Sequence, residues 1–254
     1  MTIDVATYLG DWPLRPITGT RSRLRAMLSE AELETALVSP FAGFFYTDPA
    51  PANDALLRQI EGQPDLYAAP IINAQLADAA RQVARMAAHP RARAVRVAPG
   101  FHGYPVAQAE LVVAAAAAHR LATIVQLRMQ DERSHSVTSR VPPAPLAEVI
   151  ALAAAQPRAR LVAAAARLSE IAAQAEALRA HANLWLDISH LDGLACVRRA
   201  CEAVGAGKLL FASSWPFFYA PSARLKVAEA DLPARDLARL LGGNAAKVLR
   251  LATA

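Results

Sequence analysis

Aromatic side chains make up only 6% of the 254 residues and charged ones 19%, whereas 54% are hydrophobic. A chain so poor in charge and so rich in apolar groups is not an intrinsically disordered one, and its length suffices for a large core. Cysteine is scarcer still: Cys196 and Cys201 are the only two, they lack C-x-x-C spacing, and both fall in one predicted helix. That excludes a disulfide framework, and a reduced, structural role is expected. Long apolar runs are also missing. The longest, around Leu111–Ala118 and Leu161–Ala166, are too short and too alanine-rich to span a bilayer. Met1-Thr2-Ile3-Asp4 runs straight into an apolar strand without a basic start or cleavage site, so a cytoplasmic protein with no membrane partner is expected.

Acids are the minority charge, 22 against 27 bases, giving a net charge of +5 and a pI near 9.6. The arginines are scattered, Arg21-Ser22-Arg23-Leu24-Arg25 being the densest cluster, and no aromatic-interleaved basic stripe or helix-turn-helix signature is present. The surplus therefore reads as a solvated surface, and no nucleic-acid partner is expected. Gly-x-Ser-x-Gly, P-loop and dinucleotide patterns are absent as well, and no cofactor is expected.

What the chain does have is an alternation of short β-branched or apolar runs with longer Ala/Leu/Arg stretches of helical period. It predicts strands at Thr2–Leu9, Thr35–Ser39, Ala68–Asn73, Ala94–Ala98, Thr123–Arg128, Arg160–Ala165, Leu184–Ser189 and Leu209–Ser214. Helices are predicted at Ser22–Ala31, Ala52–Glu61, Leu76–Ala88, Ala107–His119, Pro145–Ala155, Ser169–Ala180, Gly193–Ala203 and Leu232–Leu240, with a final one after Gly242-Gly243-Asn244. The fold expected is α/β, a single (β/α)8 TIM barrel occupying residues 1–254 as one domain. Segments leaving strands, such as Gly10–Thr20, Pro40–Pro51, Pro99–Pro105, Met129–Pro143 and Trp215–Pro221, are longer and more polar or aromatic than those entering them. They gather at the carboxyl face of the strands, where barrel active sites lie.

Several motifs resemble the amidohydrolase-related family of barrels. Ile3-Asp4-Val5-Ala6-Thr7-Tyr8 is similar to its opening strand, and Ala94–Pro99 with His102-Gly103-Tyr104 to its fourth strand and loop. Asn183–Ser189 resembles the seventh strand, Phe211-Ala212-Ser213-Ser214-Trp215-Pro216 the Phe-Gly-Ser-Asp-x-Pro of the eighth, and Gly242-Gly243-Asn244-Ala245-Ala246 the closing helix. The resemblance implies metal ligands at five positions, and this chain places Ala6, Tyr8, Gln126, Ala165 and Ser214 there. Alanine cannot coordinate, and neutral Gln, Ser and Tyr are weak substitutes for imidazole and carboxylate. No metal is expected.

Of the six histidines, His89, His119 and His181 fall at the ends of helices on the opposite face, where capping is their expected role. His102, His135 and His190 follow strands toward the catalytic face, and each is either a backbone-bonded loop residue or an acid/base candidate. By strand alternation Gln126 and Arg128 both face the lumen. Arg128 then needs a partner, either Asp131 or Asp187 or an anionic substrate, and Arg96 poses the same choice. Tyr8, His102, Tyr104, Ser214 and Trp215 could converge at the mouth, and Trp12 with the other mouth rings either seals the barrel or walls a pocket.

Two functions follow as expectations. One is a hydrolase or lyase acting without a divalent metal on a small carboxylate-bearing molecule, with His135, His190 or Asp187 as acid/base and Arg128, Arg96 and Gln126 among the binding residues. The other is a barrel that binds a ligand without transforming it. Either way the expected partner is a small anionic molecule; assembly as a homo-oligomer is left open.

Overall fold

Both faces of the strands are apolar, as in a parallel sheet covered on each side. A computed structural model, described here over residues 1–130 and 140–252, shows how the two faces are used. The strands are β1 (Ile3–Trp12), β2 (Ile17–Gly19), β3 (Thr35–Pro40), β4 (Leu66–Ala68), β5 (Ala94–Val97), β6 (Ala122–Gln126), β7 (Leu161–Ala164), β8 (Leu184–Asp187) and β9 (Leu209–Leu210). All pair in parallel and in sequence order except β2, which folds back antiparallel on the end of β1. Bridges between Ala68 and Ala92 and between Ile71 and Arg96 join β4 to β5, and a bridge from Thr7 to Trp215 joins β1 to the segment after β9. The parallel strands thus close into the expected (β/α)8 barrel.

Alternation along each strand sorts the core. Ile3, Leu37, Ala94, Ala122, Ile124, Val162, Ala164, Trp185 and Leu210 pack inside the barrel. Their neighbours Ala36, Val38, Val95, Val97, Val125, Leu161, Leu186 and Phe211 pack outward against the helices. The helices bury matching stripes, for example Ala79, Val83 and Met86 in Ala79–Ala87, or Ala52, Leu56 and Ile60 in Ala50–Ile60, which opens with Pro51 in its first turn.

Three departures from the expected elements have local causes. The strand expected over Ala68–Asn73 stops at Ala68 because Pro70 has no N–H to give, and the Asn53 side chain takes over both backbone groups of Ile71 at 2.7 and 2.8 Å. The last strand stops at Leu210 rather than Ser214: the Ser213 N–H turns to Asp4 at 3.1 Å, and Ser214 adopts a left-handed φ of 56°. Gly10–Thr20, expected as a segment leaving the first strand, is largely a hairpin held by β1–β2 pairing and a 2.7 Å bond from Thr18 Oγ1 to Asp11. The helix Ala220–Glu229 was not anticipated, since Pro221 and Ser222 mask its start in sequence. Gly242 suits the backbone packing expected of it, because a Cβ there would lie 2.0 Å from the Met1 carbonyl oxygen.

The seam of the barrel is polar. Asp4 on β1 accepts the Ser213 N–H at 3.1 Å, the Ala6 N–H at 3.0 Å and the Ser213 hydroxyl at 2.5 Å, tying the first strand to the last. Complete burial raises the Asp4 pKa to about 7 in spite of these bonds. A carboxyl whose pKa is higher folded than unfolded holds an extra proton in the native state, so stability falls as pH rises from roughly 4 to 7. Asp4→Asn removes this titration. The wild-type minus variant difference in unfolding free energy, from urea denaturation, should decline through that window by at most about 1.4 kcal/mol per pH unit and then level off. A difference that does not change with pH would contradict it.

Candidate active site

The carboxyl end of the lumen is built around Arg96, which β5 points inward and which is fully buried. Its Nε donates to Ser39 Oγ at 3.0 Å, one terminal nitrogen donates to Gln126 Oε1, and the other reaches the Val5 carbonyl at 3.3 Å. The guanidinium carbon lies 5.3 Å from the Tyr8 ring centroid, a cation–π contact. Gln126 also accepts the Tyr8 hydroxyl at 3.4 Å and donates to the Arg128 carbonyl, so both ends of its amide are engaged. Burial pushes the Tyr8 phenol to about 12, with Arg96 pulling the other way. Asp187, at the end of β8, is also buried; desolvation raises its pKa against the hydroxyl and N–H of Ser189, the N–H of Ala165 and the charge of Arg96.

These residues do not fit a divalent metal. Ala6 and Ala165 offer methyl groups, and Tyr8 and Gln126 are engaged with each other and with the guanidinium, whose charge would repel a metal cation. Among the described residues, no group of three or more His, Cys, Asp or Glu side chains is placed to hold a metal ion. Ala165 and Ser214 nevertheless adopt left-handed φ values of 68° and 56°, a backbone state that costs a non-glycine residue on the order of 1–2 kcal/mol.

Above this ring the mouth is sealed. Tyr8 stacks on Phe41 with centroids 5.2 Å apart and planes 10° apart, and Trp12 meets Phe41, Phe44, Phe101 and Phe217 edge to face at 4.8–6.5 Å. The mouth rings divide between the two roles: Trp12 and Phe44 are buried in the seal with Tyr8 and Phe41, whereas Phe45 and Tyr46 are exposed and Phe217, Phe218 and Tyr219 line a cavity. Tyr104 lies in the layer between barrel and helices rather than with Tyr8, and Trp215 packs in that layer too. The His102 Nε2 is 3.1 Å from the Gly43 carbonyl oxygen, and desolvation lowers the ring's pKa.

Arg128 does not follow the strand alternation into the lumen, because β6 ends at Gln126. Its guanidinium turns to the next unit of the barrel, where it forms a bidentate pair with Glu170 at 2.8 and 2.5 Å and donates to the Ala165 carbonyl at 2.6 Å. The partner is therefore Glu170 rather than Asp187, and Asp131, like His135, lies outside the described residues. Burial pushes Glu170 up, but its bonds to Arg128 and to the Arg167 N–H more than offset this and hold the carboxyl below its ordinary range. Nothing in the sequence links positions 128 and 170, since only the barrel brings adjacent βα units together.

An open cavity of about 430 Å³ remains beside the sealed lumen, between the segments that follow β8 and β9. Arg167, His190, Lys226, Phe217 and Phe218 line it, with Ser189 at its base. The Ser189 hydroxyl donates to Asp187 at 2.7 Å and lies 3.1 Å from His190 Nδ1, so it bridges the lumen carboxylate to the cavity imidazole. His190 also meets the edge of Phe218 at 5.2 Å. Lys226 is anchored on the Leu191 carbonyl at 2.9 Å. Sequence reasoning found His190 and Asp187 but missed Ser189, Arg167 and Lys226, the last because its helix went unrecognised.

A family model described as amidohydrolase matches residues 7–251. No curated protein matches the chain by sequence. Among solved structures it is similar to 5-carboxyvanillate decarboxylase from Sphingomonas paucimobilis, with a TM-score of 0.76, 16% identity and 99% of each chain covered. It is also similar to a dihydroxybenzoic acid decarboxylase from Polaromonas, with bound manganese and the inhibitor 2-nitroresorcinol (TM-score 0.75, 16% identity, 100% of this chain and 98% of that one). A third is an amidohydrolase from Burkholderia multivorans with bound zinc (TM-score 0.73, 17% identity, 99% and 100% covered). At such identities the likeness is one of fold.

The Arg128–Glu170 pair predicts a stability effect. Glu170→Gln should cost about 2 kcal/mol, less than a fully buried pair because the Glu170 side chain is 28% exposed. Thermal melts with phosphate or small dicarboxylates should show the same anion-induced shift in Arg128→Ala as in wild type. A shift lost in Arg128→Ala with little change in basal stability would instead make Arg128 the anion site.

Proposed function

The chain belongs to the amidohydrolase family, and within it we propose a hydrolase or lyase that acts on a small carboxylate-bearing aromatic molecule in the cavity beside His190, without a divalent metal. The observation that carries this reading is the chemistry of that cavity. Among the described residues Lys226 and Arg167 bring positive charge to its wall, Asp192 is the acid there, and Phe217 and Phe218 supply apolar faces around them. A volume of about 430 Å³ suits one substituted ring. In this reading Lys226 and Arg167 hold the carboxylate by charge-assisted hydrogen bonds, and the phenyl rings flank the substrate. His190 moves the proton, while Ser189 and Asp187 set its orientation.

Decarboxylation fits this arrangement. His190 gives a proton to the ring carbon bearing the carboxylate, the carbon–carbon bond breaks, and its electrons form the new C–H bond as carbon dioxide leaves. The decarboxylases of aromatic acids among the similar folds agree with this substrate class. The sealed lumen favours a second reading, in which the same cavity binds such acids without turning them over.

A panel of hydroxylated benzoates tests both. Those that fit should raise the melting temperature, and Lys226→Ala should weaken binding by roughly 10- to 100-fold. With a turned-over benzoate, followed by carbon dioxide release, His190→Gln should lower kcat by about 100-fold or more while leaving binding largely intact. Binding with no turnover across the panel would decide for the second reading. No binding at all would sink both.

A further inference from the structure

Taking a guanidinium fully out of water is costly unless its surroundings replace the lost hydration. Arg96 has that replacement, and it comes from around the barrel: the Val5 carbonyl and Tyr8 ring from β1, Ser39 from β3 and Gln126 from β6. Its hydrogen-bonding acceptors are neutral oxygens converging on one cation, as oxygens do around a bound ion. Two of the five positions at which the family resemblance implies metal ligands, Tyr8 and Gln126, are spent on this side chain. The lumen also holds two completely buried carboxyls, Asp4 and Asp187, and the charge of Arg96 acts on Asp187.

We propose that the Arg96 guanidinium is the resident cation of the lumen, covalently built into β5 in place of a divalent metal, and that it joins β1, β3 and β6. The charge is then as essential as the shape. A guanidinium brought in by the strand itself is present at any metal concentration and in every copy of the chain. The proposal does not depend on which molecule enters the cavity beside His190, and none of its tests involves substrate.

Three measurements on the full chain test it. Elemental analysis of the purified protein should find no stoichiometric zinc or manganese, and manganese chloride, zinc chloride or a chelator should leave the melting temperature unchanged. Arg96→Lys keeps a positive charge without the planar fork, whereas Arg96→Met fills the space without charge. If the cation is what matters, melting temperatures should fall in the order wild type, Arg96→Lys, Arg96→Met, with the Met variant roughly 5–10 °C or more below wild type. If Arg96 only fills space, Met should equal or exceed Lys, because an uncompensated ammonium in a barrel core is penalised more than a thioether. That order would overturn the proposal. So would about one zinc or manganese per chain that survives chelation and whose removal lowers the melting temperature. Should Arg96→Met give no folded protein while Arg96→Lys does, the charge requirement is met; should both fail, the metal content of the wild type decides.

Discussion

The central constraint on this barrel is a full positive charge with no access to water. Arg96 is the largest completely buried side chain among the described residues, and what surrounds it follows from the need to solvate it. Gln126 spends its amide oxygen on the guanidinium, Ser39 supplies a hydroxyl, β1 gives up a carbonyl and turns an aromatic face. Room for so large a group comes from small neighbours. Ala6, Ala69, Ala94, Ala122, Ala164 and Ala212 make much of the inner wall, where layered barrels more often carry branched aliphatics.

This arrangement leaves open space to one side of the barrel axis. With the axis of the barrel occupied by an arginine and capped by interlocking rings, the open space lies off-axis, between the segments after β8 and β9. Phe217 belongs to both worlds: it packs on Tyr8, Trp12 and Phe41 in the seal and lines the cavity on its other side. Ser189 does the same for polar groups, with one contact to the buried Asp187 and one to His190. Through these two residues the sealed interior and the open cavity share a wall and a hydrogen-bonded link.

Structures of the same fold hold manganese or zinc in the decarboxylase from Polaromonas and the amidohydrolase from Burkholderia multivorans. In this chain the five positions at which the family resemblance implies ligands carry two methyl groups, an amide, a phenol and a hydroxyl, and the Arg96 guanidinium contacts two of them, Tyr8 and Gln126. Closure of this barrel is made by contacts of the chain itself. Parallel pairing, the Asp4–Ser213 seam and the bridge from Thr7 to Trp215 already join the first strand to the last.

The sequence by itself determined the barrel, because eight apolar strands with helical stretches between them are a local pattern, and each unit carries it within about thirty residues. It also determined that two of the implied ligand positions, Ala6 and Ala165, carry no donor atom. Strand ends were less legible: Pro70 and the turn of Ser213 toward Asp4 stop the ladder through a missing donor and a distant acceptor. Partnerships were decided only by the tertiary structure. Arg128 found Glu170 and not Asp187, Arg96 found neutral hydrogen-bond acceptors, and Tyr8, Trp12, Phe41 and Phe44 closed over the lumen while Phe217 and Phe218 came to line a cavity. The physical reason is that a buried charge selects its partner by distance, and distances between groups on different βα units are set only once the sheet has closed.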